Sequence, residues 1–214
     1  MLTVRPYRPS DRAALRRICA DTAFFGRPID PVFADRGLVA DSLLASFLAC
    51  EPGSCFVVAD DAGEVLGYLV GAVDSAREWR CFLRRTLPRV AFLVLVRLHW
   101  LRPSFWRLFL AGARIMPARR RAAAAARRRG IVGTLHVDLD ERARGQGAGT
   151  RLLEAFEGLA RSRGAAGIAI SVGTDGGKAF FAKHGFARLA AHPAPRLAPR
   201  GRQPDEVWIM WRGL

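Results

Sequence analysis

The stretch Arg144-Gly145-Gln146-Gly147-Ala148-Gly149-Thr150 decides which fold this sequence predicts. It lies between a predicted strand, residues 131–140, and a predicted amphipathic helix, residues 148–163. Glycines at such a junction let the backbone turn sharply and bring several N–H groups to the helix N-terminus, where the helix dipole favours an anion. The stretch therefore predicts a phosphate-binding loop.

Other phosphate-binding motifs fit these residues poorly. Counted from Gly145, the dinucleotide fingerprint G-x-G-x-x-G would need its third glycine where Thr150 stands. A Walker loop would need Ser or Thr after Gly177-Lys178, but Ala179 follows. Both motifs are excluded, and a glycine-rich turn without a ligand stays as the structural alternative.

The predicted elements around the loop alternate between strands and helices. Strands are predicted at residues 2–6, 54–59, 64–73, 131–140, 167–172, 186–191 and 206–212, and helices at residues 11–22, 38–49, 148–163 and 176–184. This order predicts an α/β (α+β) fold with a mixed central sheet of six or seven strands flanked by helices. The length suits one domain, residues 1–214.

Residues 76–130 differ from the rest of the chain. They hold fifteen arginines and one acid, Glu78, and so carry +14 of the net charge of +15. Bulky apolar residues such as Trp79, Trp100 and Trp106 are interleaved with the arginines, which predicts two or three short amphipathic helices inserted between the third and fourth strands. The alanine-rich tail is predicted to be either helical or mobile.

This insertion has several interpretations. A solvated helical face over a small core is the plainest, because arginine stems cover apolar surface readily. Contact with a membrane surface is an alternative, and nucleic acid is a less favoured one. The longest apolar run, residues 90–96, is far shorter than the roughly 20 residues of a membrane-spanning helix.

The remaining composition gives two further expectations. Cys19, Cys50, Cys55 and Cys81 are scattered without a CxxC pair, which predicts buried free thiols and no disulfide framework. The first residues lack the pattern of a signal peptide, so a cytoplasmic protein is expected.

Two segments make the chain resemble the GNAT superfamily of acyl-CoA-dependent N-acetyltransferases. Arg144 to Gly149 is similar to the family's R-G-x-G-x-G/A signature, and Phe180-Phe181-Ala182-Lys183-His184-Gly185-Phe186 to its F-Y-x-K-x-G-F segment. The resemblance is strong over residues 131–214 and weak over residues 1–74. Residues 30–36 and 135–139 look like the branch similar to the acetyltransferase-like domain of O-GlcNAcase and its bacterial relatives.

The resemblance implies an acetyl-CoA-dependent N-acetyltransferase without a metal. The acceptor is then a small-molecule or peptide amine that attacks the thioester directly, and a homodimer stays open. Two strand residues, Val137 and Leu139, would hold the pantetheine arm of the coenzyme, and Phe181 would lie at its thioester end. The pyrophosphate would bind the backbone N–H groups of Arg144, Gly145, Gln146, Gly147, Ala148, Gly149 and Thr150.

The general base departs from the family pattern. Many members carry a glutamate early in the strand before the loop, but residues 131–135 contain no acid. Strand alternation puts His136 and Asp138 on one face, and either side chain can accept the amine's proton; a purely structural role is the alternative. Phe181 stands where the family often has a proton-donating tyrosine. An inactive acyl-CoA-binding module is therefore a competing interpretation, and a basic membrane or nucleic-acid adaptor that uses the insertion is another.

Overall fold

The fold is a seven-stranded sheet with helices on both faces, in a computed structural model that describes residues 1–197 and 203–214 and only the backbone of Arg119. The strands are β1 (Thr3–Pro6), β2 (Cys55–Ala59), β3 (Val65–Ala72), β4 (Gly133–Leu139), β5 (Gly167–Val172), β6 (Ala187–Pro193) and β7 (Glu206–Gly213). The helices are α1 (Arg12–Thr22), α2 (Arg36–Cys50), α3 (Ser75–Cys81), α4 (Leu87–Val96), α5 (Pro103–Arg128), α6 (Ala148–Ser162) and α7 (Asp175–Lys183).

The strand order is β1-β2-β3-β4-β5-β7-β6, which confirms the predicted mixed sheet. Every neighbouring pair is antiparallel except β4 with β5. These two parallel strands pair only at Gly133 with Ile168 and at Thr134 with Ala169. The two strands diverge along the rest of their length, and the structure describes every residue of both. The sheet therefore opens into a splay between β4 and β5.

Side-chain alternation along the strands builds two cores. On one face α6 packs Leu152 and Phe156 against Leu69 and Ile168, and these four side chains are essentially inaccessible to solvent. The amphipathic pattern predicted for this helix is thereby confirmed. On the other face α1 and α2 cover Tyr68 and the strand residues beside it. Polar residues of β4 that point to this second face lie under α1.

The segment between β3 and β4 forms the predicted helical insertion. It contains three α-helices, and a π-helical turn at Phe82–Thr86 joins the first two. The expectation of short helices is wrong for α5, which runs for 26 residues. Its alanine-rich half is helical, since alanine has the highest helix propensity. Within the described residues, none of the helices has the length and apolar content needed to span a bilayer.

Two of the four cysteines correct the expectation of free thiols. Cys50 and Cys81 form a disulfide that joins the end of α2 to the end of α3, with their Cα atoms 6.4 Å apart. The pair is separated by 31 residues, and sequence spacing alone gives no sign of it. Cys19 and Cys55 are buried free thiols, as predicted. The predicted loop before β7 lies partly outside the described residues.

Candidate active site

The glycine-rich loop adopts a backbone that L-residues with side chains rarely take up. Gly145 and Gly147 have φ angles of +75° and +73°, in the left-handed region, and Gly147 is the N-cap of α6. A Cβ atom added at either glycine would meet no heavy atom within 4 Å. Glycine is needed here for the backbone conformation, and the space above the loop is open.

The loop gathers several unsatisfied N–H groups. The N–H groups of Ala148, Gly149 and Thr150 lie in the first turn of α6 and so have no acceptor within the helix. Within the described part of the chain, the N–H groups of Gly145, Gln146 and Gly147 also lack a protein acceptor. Six consecutive donors at the positive end of a helix dipole form a cradle for an anion such as a pyrophosphate.

Side chains of the loop brace it against the sheet. The Arg144 guanidinium donates to the carbonyl of Leu139 at 3.1 Å, and the Gln146 amide donates to the carbonyl of Arg142 at 2.6 Å. Arg151 reaches the carbonyl of Leu2 at 2.6 Å. These bonds fix the loop at the end of β4, so the N–H cradle opens beside the splay.

Thr150 connects the loop to α7. The ring of His184 lies 2.8 Å from the carbonyl of Phe180 through Nδ1, which must therefore be the donor. The other ring nitrogen then accepts from the Thr150 hydroxyl at 3.1 Å. The hydroxyl of Thr150 is committed to this bond, so its backbone N–H is the group available to a ligand.

Val137 and Leu139 lie on β4 where it leaves β5. One edge of the strand pairs with Leu69 and Gly67 of β3, and the other edge faces the splay. Their half-buried side chains pack toward α6. This places backbone donors and acceptors of β4 along the path that the pantetheine arm is predicted to follow.

Phe181 lies inside the protein core. It is 5% exposed, and its ring centroid lies 5.0 Å from that of Phe180 and 5.2 Å from that of Phe186. Phe180 is the residue nearer the loop, because a Cβ on Gly149 would come within 3.3 Å of its ring. Contact of Phe181 with the coenzyme stays a prediction.

His136 and Asp138 lie together on the α1 side of β4. Nε2 of His136 and Oδ2 of Asp138 are 3.1 Å apart, which is an ion-pair distance. The contact does not have the geometry of a hydrogen bond. Tyr68 on β3 stands directly opposite Asp138 and donates its hydroxyl to the same carboxylate oxygen at 2.6 Å. The structure thus brings both predicted catalytic residues into one polar cluster.

The cluster shifts the proton affinities of its members. Burial of the His136 ring lowers its pKa, but the charge of Asp138 outweighs this effect and raises the pKa from 6.5 to about 10. Burial and the same carboxylate raise the pKa of Tyr68 well above 10. At neutral pH His136 therefore carries a proton and Tyr68 stays a neutral donor.

Cys19 of α1 completes the cluster. Its sulfur, a ring nitrogen of His136 and a carboxylate oxygen of Asp138 all lie within 4.8 Å of one another. These are ligand types that zinc takes, although Asp138 already accepts from Tyr68 and Cys19 is fully buried. Such a set suits hydrogen bonding and proton transfer, and the absence of a metal stays a prediction.

A cleft of about 140 Å³ lies at the closed end of the splay. Thr134, Ala169 and Ser171 form its floor, and the alanine-rich half of α5 forms a wall through Ala122 and Ala126. Thr134 points to the same face of β4 as His136, two residues further along the strand. The insertion therefore forms one wall of a cleft whose lining residue Thr134 lies two residues from His136 on β4.

Sequence reasoning missed Tyr68 and Cys19. A signal for Tyr68 was present, because a tyrosine in the otherwise apolar run of residues 65–72 needs a hydrogen-bond partner once it is buried. Choosing that partner requires the register between β3 and β4, which the sequence does not provide. Cys19 carried no signal beyond the general tendency of cysteine to be buried.

Comparison with solved structures identifies relatives of this fold. SsHAT is 28% identical with a TM-score of 0.75, covering 99% of this chain and 98% of its own. The polyamine N-acetyltransferase of Drosophila melanogaster is 18% identical with a TM-score of 0.65 over the whole of both chains. A phosphinothricin acetyltransferase of Sinorhizobium meliloti in complex with AcCoA is 17% identical with a TM-score of 0.60, covering 100% of this chain and 88% of its own. The last two similarities show the fold alone.

Two sequence comparisons agree with this fold. Protein O-GlcNAcase of Rattus norvegicus is 35% identical over 72 residues, which are 34% of this chain and only 8% of that protein, and this partial match supports the branch predicted above. The family model described as Acetyltransferase (GNAT) family matches residues 13–186. The chain belongs to the GNAT acetyltransferase family.

Proposed function

We propose that this protein is an acetyl-CoA-dependent N-acetyltransferase acting on an amine acceptor. The observation that carries the proposal is the N–H cradle at the start of α6, which opens beside the β4–β5 splay. The pyrophosphate would bind this cradle, and the pantetheine arm would pair with the free edge of β4 at Val137 and Leu139. The thioester would then lie near His136 and Asp138.

We assign the two proton-transfer roles from the charges of the pair. A carboxylate can only accept a proton, whereas a protonated imidazole can donate one. Asp138 accepts a proton from the acceptor's ammonium group, and the free amine attacks the thioester carbon. When the carbon–sulfur bond breaks, His136 protonates the departing thiolate. The surplus proton on the new amide nitrogen then returns to His136. Asp138 releases the proton it took from the ammonium group to solvent, so both side chains regain their starting states and the reaction yields one proton overall.

This division of roles also accounts for Phe181. Phenylalanine cannot protonate a thiolate, so another group must do so if the reaction is to be fast at neutral pH. His136 can protonate the thiolate because the charge of Asp138 keeps the pKa of His136 above neutral pH. We further propose that the acceptor carries no second cationic group beside its amine, since the cleft lining contains no carboxylate among the described residues.

Coenzyme binding is tested with one glycine substitution and a matched control. Gly147→Trp fills the space above the cradle, and we expect at least a tenfold weaker affinity for acetyl-CoA by titration calorimetry. Gly164→Trp is the control, because Gly164 also has a φ of +75° with open space around it, but lies at the other end of α6. Equal affinities for acetyl-CoA in the two variants would remove the assigned pyrophosphate site.

Catalysis is tested by thioester consumption against a panel of amines. Asp138→Asn should lower kcat by about 100-fold or more at unchanged acetyl-CoA affinity. His136→Gln should lower kcat and abolish the loss of activity at alkaline pH that follows from its deprotonation. Asp175→Asn, an equal charge change at an exposed site, should leave both quantities unaltered.

A second function is favoured by Phe181 alone. If the family's proton donor is lost without replacement, the protein binds acetyl-CoA but transfers nothing. Tight binding without turnover on any amine would establish this binding module. Full activity in both His136→Gln and Asp138→Asn would instead show that acetyl transfer occurs with other proton-transfer groups.

A further inference from the structure

Exposed apolar side chains are concentrated on the insertion. The described residues include fourteen large apolar side chains that are strongly exposed, and twelve of them lie between residues 79 and 110. The surface of a globular protein rarely exposes so many large apolar side chains together unless they form a binding site. We call this group the α4–α5 face; its members are Trp79, Leu83, Leu87, Phe92, Leu95, Val96, Leu98, Trp100, Leu101, Trp106, Phe109 and Leu110.

Helix α4 has an apolar residue on almost every side but none that is fully buried. Val90, Leu93 and Val94 turn inward and pack against a core cluster that includes Phe24 and Phe33. The opposite side carries Phe92 and Leu95, which are 62% and 61% exposed. One side of α4 therefore holds the insertion to the protein, while the other has no partner among the described residues.

The first half of α5 repeats this arrangement. Phe105 and Leu108 pack inward on the same core cluster, whereas Phe109 and its outward neighbours are about half exposed. The indole N–H of Trp106 donates to the carbonyl of Trp100 at 2.7 Å, which fixes the turn before α5 against the helix. The two helices and their turn thus present one continuous apolar surface.

Arginines accompany this surface, and most of those whose side chains the structure describes have no acidic partner. Among the insertion arginines whose side chains the structure describes, Arg97 is the one that forms an ion pair, with Asp35 at 2.6 Å. Arg89 and Arg107 are exposed, and each lies three residues before an exposed apolar residue, Phe92 and Leu110, on the same side of its helix. The apolar surface is therefore flanked by uncompensated positive charge.

We propose that the α4–α5 face binds the surface of a membrane rich in anionic lipids. Apolar side chains of this size enter the boundary between headgroups and acyl chains, and arginines beside them attract acidic headgroups. Tryptophan suits the same depth, since its ring is apolar and its N–H polar. The protein would lie on the membrane surface without spanning it.

Charge and side-chain type favour this partner over two others. A second copy would bring one strongly basic surface against another, and like charges repel across an interface. Single-stranded nucleic acid would satisfy the arginines and stack on tryptophans, but it offers nothing to the leucine and valine side chains of α4. An anionic bilayer complements both the charge and the aliphatic surface.

The first experiment measures cosedimentation with vesicles of phosphatidylglycerol and phosphatidylcholine. We expect binding to anionic vesicles at least tenfold stronger than to pure phosphatidylcholine, and weaker as salt rises. The double variant Phe92→Ser/Leu95→Ser should lose at least tenfold in binding while keeping the wild-type Tm. Leu93→Ala, on the inner side of the same helix, should lower Tm but leave vesicle binding unaltered.

The second experiment separates charge from apolar contact. Arg89→Glu/Arg107→Glu should weaken binding to anionic vesicles tenfold or more, with little change in Tm. Equal binding to neutral and anionic vesicles, or none to either, would overturn the proposal. If vesicle binding is absent, two further results would identify the other partners. A wild-type dimer that dissociates in Phe92→Ser/Leu95→Ser would indicate a second copy, and a gel shift with single-stranded DNA would indicate nucleic acid.

Discussion

The framework of this protein, residues 1–74 and 131–214, and its insertion, residues 76–130, use the same residue types in opposite ways. In the framework, large apolar side chains such as Phe156 and Leu152 are fully buried between α6 and the sheet. In the insertion, Phe92, Leu95 and Leu101 are about 60% exposed. Burial in the framework stabilises the fold, whereas the exposed residues of the insertion contribute little to it.

The charges differ in the same sense. Arg142 of the framework binds Glu64 in a bidentate pair at 2.6 and 2.9 Å and also contacts Asp140 at 3.2 Å. Such surface pairs satisfy both partners within the protein, although each contributes little stability. The insertion has one acid for fifteen arginines, and of those arginines whose side chains the structure describes only Arg97 pairs with an acid, so most of this charge is left for a partner outside the protein. Its outer surface is therefore better explained by binding than by folding.

The largest expected contrast comes from the same substitution made in each region. Phe156→Ala should cost about 3–5 kcal/mol of unfolding free energy, because it removes a fully buried ring that also fills the space above Gly71. Phe92→Ala should change that free energy by less than about 0.5 kcal/mol. Guanidinium unfolding measures both values. Comparable losses would mean that the insertion is a core element, and the contrast drawn above would fail.

Most of the framework was predictable because its patterns are local. The spacing of Leu152, Leu153 and Phe156 predicts a helix with one buried face, and alternation on β4 places His136 and Asp138 together. The left-handed backbone conformation of the loop was also predictable, because Gly145 and Gly147 lie one residue apart between a strand and a helix.

Contacts between distant segments could not be predicted in the same way. Tyr68 joins Asp138 only through the register of β3 with β4, and Cys50 meets Cys81 only through the packing of α2 on α3. Short helices were predicted for the insertion, but α5 continues through Pro117 because the alanine tract sustains the helix. The periodicity of apolar residues also cannot show which side of a helix is buried when apolar residues lie on both sides, as they do in α4.

The disulfide between Cys50 and Cys81 joins the two regions, and breaking it should have the next largest effect. In the chain-entropy model, closing a loop of 31 residues stabilises a fold by about 3–4 kcal/mol. Adding a reductant should therefore lower the Tm of the wild-type protein. A Cys50→Ala/Cys81→Ala variant should start at the lower Tm and show no response to the reductant. An unchanged wild-type Tm, with both thiols shown to be free by labelling, would exclude the disulfide as a link between the regions.

The smallest of these effects comes from a polar link between the regions at Asp35. This residue caps α2 through the Leu38 N–H at 2.9 Å and holds the turn after α4 through Arg97 at 2.6 Å and His99 at 2.8 Å. Burial raises the pKa of Asp35, but these three donors outweigh it and lower the pKa from 3.8 to about 2.

Because the folded-state pKa is the lower one, the link stabilises the protein fully above pH 4 and is lost as pH falls toward 2. Its full contribution is about 2 kcal/mol by linkage. The difference in unfolding free energy between the wild type and Asp35→Asn should therefore shrink over this range. Arg142→Gln is the comparison, since it removes an exposed framework pair that solvent screens and that contributes little stability. If Asp35→Asn cost no more than Arg142→Gln at pH 7, the turn would be held by its apolar contacts, and the insertion would depend on charge only at its outer surface.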